Sequence, residues 1–174
     1  MQELIIGMDG FIGRNLCRHI PDALKTTRCN ASLDAPGVSY FDMLNPGPLP
    51  DADVVYICTG INGALTVAQD PQKAYRVNVD GTIYIADYYY YSAGVDTFII
   101  WLGSTTCEWS TEHYGRQKQA AESYLRRMPN VGIIRAGRVL QSNVDDLCTL
   151  MMDVGRNRKR GVRLWGEDEK PYQK

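Results

Sequence analysis

The sequence has almost no net charge. Nineteen lysines and arginines meet twenty aspartates and glutamates, which leaves −1 at pH 7. A chain so balanced exerts no overall electrostatic pull on nucleic acid or an anionic membrane. Long apolar runs are missing too, since no stretch reaches the roughly 18 residues of a membrane-spanning helix. No basic segment precedes the first apolar run, Leu4-Ile5-Ile6, so a secretory leader is not expected. The cysteines, Cys17, Cys29, Cys58, Cys107 and Cys148, are odd in number and form no Cys-x-x-Cys pair. That argues against a disulfide framework and structural zinc, and for a reduced cytoplasmic protein. Internal repeats and low-complexity segments are also absent. What remains is an ordinary globular composition over 174 residues, enough for one domain with a substantial core.

The chain is organised around Gly7-Met8-Asp9-Gly10-Phe11-Ile12-Gly13. Leu4-Ile5-Ile6 before it reads as a buried strand, and Phe11, Ile12 and Leu16 after it begin a helical period. Glycines at a strand-to-helix turn have separate uses. Gly7 permits the tight turn, Gly10 lets the backbone approach a pyrophosphate, and Gly13 lets helix and strand pack closely. The phosphates would lie at the helix N-terminus, with Phe11, Ile12 and Arg14 beside them. Downstream, strands are expected at 23–27, 38–41, 54–58, 95–102 and 131–134. Helices are expected to Ile20, from Pro71 to Ser92 with Gly94 as stop signal, and from Thr111 to Arg127. Alternating strands and helices predict a doubly wound parallel sheet, a three-layer α/β/α Rossmann fold with right-handed crossovers. Tyr88 to Tyr91 cannot all face inward on a helix, so some of these rings should be exposed and mark a subunit interface, hence a homodimer.

A second constellation follows the fifth strand. Tyr114 and Lys118 stand four residues apart and share one helix face. A cation there would favour the phenolate and make Tyr114 a general acid or base. Ser104, just past the strand, would reach a substrate carbonyl at the strand's C-terminal end, where parallel sheets bind ligands.

Glycine turn, serine and Tyr-x-x-x-Lys, in that order on an α/β pattern, resemble the extended short-chain dehydrogenase/reductases, in particular the NAD(P)-dependent epimerase/dehydratase family that acts on nucleotide sugars. Asp53-Val54-Val55-Tyr56-Ile57 is similar to that family's fourth strand, and Val77-Asn78-Val79-Asp80-Gly81-Thr82 to its Asn-Val-x-Gly-Thr helix. Ile134-Arg135-Ala136-Gly137 resembles its Arg-Pro-Gly segment. The likeness runs through most of residues 3–140 and implies a dinucleotide-binding domain over 1–140. By resemblance, Tyr114 is the acid/base of an oxidoreductase or epimerase, Lys118 binds the nicotinamide ribose, and Ser104 orients the carbonyl, with Thr105 and Thr106 as alternatives. Gly7, Gly10 and Gly13 would carry the pyrophosphate, Asp42 would contact adenine, Thr59 and Gly60 would follow the fourth strand along the cofactor, and Asn78, counted with the cofactor residues, would have a mainly structural role.

The departures are specific. The dehydratases' Asp-Glu pair is replaced near Thr106-Cys107, so dehydration is not expected. The family's proline is Ala136. Residues 141–174 read as the start of a truncated or minimal substrate-binding region, as in a fragment or a small variant. Absence of the full region favours an alternative, a non-catalytic dinucleotide-binding module. Arg28 and Arg14 lean the cofactor toward NADP, with Asp34 as the rival for NAD. The basic run Arg156 to Arg160, with Arg163, reads as a solvated helix end, its functional alternative being a nucleotide-diphosphate contact.

Overall fold

The computed structural model of the chain describes residues 1–91 and 96–166. Seven strands form: β1 (Glu3–Ile6), β2 (Leu24–Thr27), β3 (Val38–Tyr40), β4 (Val54–Ile57), β5 (Phe98–Ser104), β6 (Val131–Ala136) and β7 (Gly161–Trp165). Six α-helices accompany them: α1 (Phe11–His19), α2 (Ala64–Gln69), α3 (Pro71–Tyr75), α4 (Thr82–Tyr91), α5 (His113–Leu125) and α6 (Val144–Arg156). The strands are all parallel, in the order β3-β2-β1-β4-β5-β6-β7. The chain winds outward from β1 to β3, returns to the middle at β4, and winds out the other way. The C-terminal ends of β1 and β4 therefore flank the switch point where such sheets leave a crevice.

Every residue of β1, β4 and β5 is buried, as a parallel sheet covered on both faces requires. On one face Leu16 of α1 and Leu147 and Met151 of α6 pack with Ile5, Tyr56 and Ile100. On the other, Ile85 and Ala86 of α4 and Ala121 and Leu125 of α5 pack with Leu4, Val55 and Ile99. The expected three-layer Rossmann-like architecture is thus present. Residues beyond 140 contribute α6 and β7 to the same sheet and core, so no gap in packing falls at that boundary.

The helix expected from Pro71 is interrupted. Asp70 caps α3, accepting from the Lys73 N–H at 3.0 Å. Arg76–Gly81 then forms a wider π turn before α4 begins. A Cβ on Gly81 would lie 2.9 Å from the Met43 side chain, so glycine lets this turn sit against the loop after β3. Ser92, Gly94 and Val95 lie outside the described residues. Helix α2 was not expected: it is six residues long and buries only Val67, too little for an apolar period.

The tyrosine run divides as its spacing requires. Tyr84, Tyr88 and Tyr89 donate to the carbonyls of Gly47, Leu49 and Pro50, pinning the proline-rich segment before β4. Tyr90 and Tyr91 are exposed. The basic run is committed to local structure: Arg156 pairs with Glu3, Arg158 with Asp96 and Lys159 with Asp153, while Arg163 donates to the Lys159 and Arg160 carbonyls. It lies where β7 begins, the edge of the sheet opposite the crevice, so the reading of a nucleotide-diphosphate contact does not hold there.

Candidate functional site

The turn after β1 is shaped by its backbone. Gly7 has φ +92°, and a Cβ there would approach the Thr59 Cβ to 2.8 Å. A Cβ on Gly13 would overlap the Gly7 carbonyl oxygen. Gly10 is different: it is exposed, and an added Cβ would find its nearest neighbours at 3.5 Å. It is the N-cap of α1, and no side chain caps the helix there. Gly7 and Gly13 are therefore glycine for the fold, while Gly10 keeps the approach to the first N–H groups of α1 open. Such a helix end favours an anion.

Above this turn lies a cleft of about 600 Å³, within the size range of ligand pockets. Gly7, Gly10, Phe11 and Ile12 form one wall, Thr59 and Gly60 another, and Arg28 and Asp42 stand at the ends of β2 and β3. Asp42 is partly used, accepting from the Leu44 N–H at 3.0 Å. Three expected cofactor residues are not on the wall: Gly13, Arg14 and Asn78. Gly13 is buried against the Gly7 carbonyl. Arg14 is exposed and donates to the Asp9 carbonyl at 3.0 Å. Asn78 is buried behind the cleft, where it accepts from the Ile61 N–H (2.8 Å) and donates to the Ile61 carbonyl (2.9 Å) and Gln117 Oε1 (3.0 Å). The π turn carries Asn78 to that position, so Asn78 ties the loop after β4 to α5. Asp34, the rival acid for NAD, is exposed and also absent from the lining.

The cleft continues into a smaller cavity of about 120 Å³ between β4, β5, β6 and α5. Ser104, Tyr114 and Lys118 all line it, whereas Thr105 and Thr106 do not. The two spaces share Ile12, Cys58, Thr59 and Asn62. Ser104 ends β5, and its Oγ accepts from Thr106 Oγ1 at 2.9 Å. Tyr114 sits in the first turn of α5, its hydroxyl 3.5 Å from Asn62 Oδ1. Lys118, one turn on, is buried; its Nζ donates to the Leu102 carbonyl at 2.9 Å and lies 5.0 Å from the Trp101 ring centre and 6.0 Å from that of Tyr114. Burial lowers its pKa to about 8. Burial pushes the Cys58 thiol on the shared wall up, which disfavours its thiolate. Among the described residues no cluster of His, Cys, Asp or Glu could hold a metal, and no helix is long and apolar enough to cross a membrane.

Several contributors escape a motif reading. Asp9, Asn62 and Lys73 also line the cleft. Arg135 of β6 makes two bonds to Glu122 of α5, at 2.8 and 2.9 Å, and also pairs with Glu108 in the turn after Ser104. One guanidinium thus joins the strand end that carries Ser104 to the helix that carries Tyr114 and Lys118. Burial alone would raise the Glu122 carboxyl, yet Arg135 and Arg126 together hold it below the ordinary carboxylate value.

A switch-point crevice with a glycine turn on a doubly wound sheet defines a Rossmann-like α/β protein. The chain belongs to the NAD dependent epimerase/dehydratase family, whose model matches residues 4–136. Among curated proteins none matches it. Its fold is similar to that of a hypothetical dTDP-4-dehydrorhamnose reductase from Sulfolobus tokodaii, with TM-score 0.73 and 17% identity over 96% of this chain and 77% of that one. A short chain dehydrogenase from Burkholderia cenocepacia in complex with NADP gives TM-score 0.77 and 13% identity, over 96% and 90%. The Bordetella bronchiseptica enzyme WbmF in complex with NAD+ gives 0.66 and 15%, over 80% and 50%.

Proposed function

We propose that the chain binds NAD(P) along the cleft and reduces or epimerises a carbonyl or alcohol carbon of a nucleotide-sugar-like substrate. The observation that carries this reading is the meeting of Ser104, Tyr114 and Lys118, from two different elements, in a cavity that opens onto the glycine-turn cleft. The residues present fit a dinucleotide: the helix end is uncapped, Gly10 leaves it accessible, and the cleft has the volume. Gly7, Gly10, Phe11 and Ile12 would hold the pyrophosphate. A bound nicotinamide supplies or accepts the hydride. The chain's own work is then acid–base and positional. Ser104 Oγ orients the substrate oxygen, the Tyr114 hydroxyl gives or takes its proton, and the Lys118 ammonium stabilises negative charge nearby.

The test is titration of NADH and NADPH followed through tryptophan fluorescence, then turnover with nucleoside-diphosphate sugars. Tyr114→Phe should leave cofactor affinity unchanged and cut turnover by roughly 10²–10⁴, the worth of a positioned acid/base. Equal turnover by wild type and Tyr114→Phe would remove Tyr114 from the chemistry. One observation favours the second reading, a dinucleotide-binding module without turnover: at about 120 Å³ the cavity beside Tyr114 is small for a sugar. Tight cofactor binding with no turnover on any sugar nucleotide would support it.

A further inference from the structure

The end of the cleft nearest β2 brings together residues that lie far apart in sequence. Asp9 lines the cleft, and its Oδ2 accepts a hydrogen bond from the hydroxyl of Thr27, the last residue of β2. Thr27 is buried, and its Oγ1 also accepts from the Cys29 N–H at 2.8 Å. The turn is tied to the same strand by the Met8 N–H on the Thr26 carbonyl at 3.0 Å and the Gly7 N–H on Thr26 Oγ1 at 3.3 Å. The carboxylate is therefore anchored at the C-terminal tip of β2. Arg28, the next residue of the strand's exit, is exposed and lines the same cleft.

In this fold the tip of the second strand is where the adenosine ribose is read. A carboxylate there accepts from the ribose 2′-OH, and an arginine accommodates a 2′-phosphate. This chain supplies both groups, the acid from the glycine turn and the arginine from the strand exit. We infer that Asp9 is the ribose-reading residue and that the site prefers NAD(H) to NADP(H), an inference that rests on the dinucleotide site proposed above.

Anchoring decides between the two groups. Asp9 is held by a buried hydroxyl and keeps acceptor capacity for a second donor. A 2′-phosphate, carrying close to two negative charges, would have to sit beside that fixed carboxylate. Asp9 and Arg28 are both exposed, so the bond from Thr27, not burial, is what separates them. Arg28 shares the cleft lining with two carboxylates, Asp9 and Asp42, so a phosphate entering there would also meet negative charge. The second arginine expected to help, Arg14, is spent on the Asp9 carbonyl and is off the wall. Lys73, the remaining cation, stands on α3 beyond β4, on the opposite side of β1 from β2.

Fluorescence titration of wild type, Asp9→Asn and Asp9→Ser with NADH and NADPH tests the inference. Wild type should bind NADH about tenfold tighter or more, the scale on which a 2′-phosphate is told from a hydroxyl by one charged contact. Both variants should weaken NADH and tighten NADPH, and Arg28→Ala should weaken NADPH more than NADH in the Asp9→Ser background. A readout that needs no variant is competition on wild type: AMP should displace NADH at lower concentration than adenosine 2′,5′-bisphosphate, which differs from it only by the 2′-phosphate. A wild-type preference for NADPH, or equal changes for both cofactors in folded Asp9 variants, would overturn the inference while leaving the dinucleotide site intact. Failure of wild type to bind either dinucleotide would overturn both.

Discussion

The two ends of the cleft hold their shape by different means. At the glycine turn the backbone does it: Gly7 and Gly13 sit where any Cβ would strike a neighbouring residue, and the atoms it would meet first belong to the main chain or to Thr59. At the Ser104–Tyr114–Lys118 end, side chains do it: Lys118 is buried over Trp101, and Arg135 links Glu108 and Glu122. The first end depends on what is missing from two positions close in sequence. The second depends on charged groups brought in from the turn after β5, from β6 and from α5. A steric rule is local and unforgiving, whereas an ionic network is distributed and can lose a member.

That contrast can be broken from either side. The largest effect should come from Gly13→Val. The Gly7 carbonyl cannot rotate away as a side chain would, so the cost should exceed the about 1–3 kcal/mol of ordinary overpacking and reach the order of the whole stability of a small domain. Loss of the cooperative urea transition would show it, and a wild-type midpoint would contradict the steric account. Next comes Arg135→Met, which leaves buried Glu122 with only Arg126 at 2.8 Å. A loss of about 3 kcal/mol is expected, the lower end for breaking a buried pair, because Arg126 stays.

Lys118→Met probes the same end through pH. The folded-state pKa of about 8 lies below the ordinary lysine value of 10.5. Between those values the unfolded chain binds the proton and the folded chain does not, so wild-type stability should rise with pH across that window. Below it the burial cost is fully present. The variant should therefore be more stable than wild type at neutral pH, by on the order of 1–3 kcal/mol, and should lose the rise. Parallel pH dependence of the two urea midpoints would show that Lys118 is not the titrating group. The smallest change in stability should come from Gly10→Ala, within about 0.5 kcal/mol, since the added methyl meets only ordinary contacts. A folded Gly10→Ala that loses dinucleotide affinity, beside an unfolded Gly13→Val, would separate the ligand's glycine from the fold's.

The same contrast explains what could be read from the sequence. Gly7, Gly10 and Gly13 were legible because their meaning is a spacing within one turn, and the parallel sheet because apolar runs such as Val54–Ile57 are buried on both faces. Ser104, Tyr114 and Lys118 were legible as types at a distance, and the structure brings them to one cavity. The Asp9–Thr27 bond was not, because it joins the turn to the next strand's end, although a polar residue before Gly10 was in view. Arg14 was misplaced for the converse reason: closeness to the glycine turn in sequence does not fix which side of α1 the guanidinium takes. The π turn left no mark in the apolar period, and α2 buries too little to leave one.

The strand order also sets a timetable. β1, the first of these seven strands in chain order, lies inside the sheet and pairs on one side with β2 and on the other with β4, where Glu3 meets Val54. β4 must wait in turn for Phe98 of β5. At about 5–20 residues per second, the apolar edge of Leu4-Ile5-Ile6 stays bare for several seconds before Ile57 arrives to cover it. Such non-local pairing folds slowly, and an open apolar edge is what chaperones and wrong partners find first. The architecture that places the crevice between β1 and β4 therefore makes that same seam the most vulnerable line of the nascent chain.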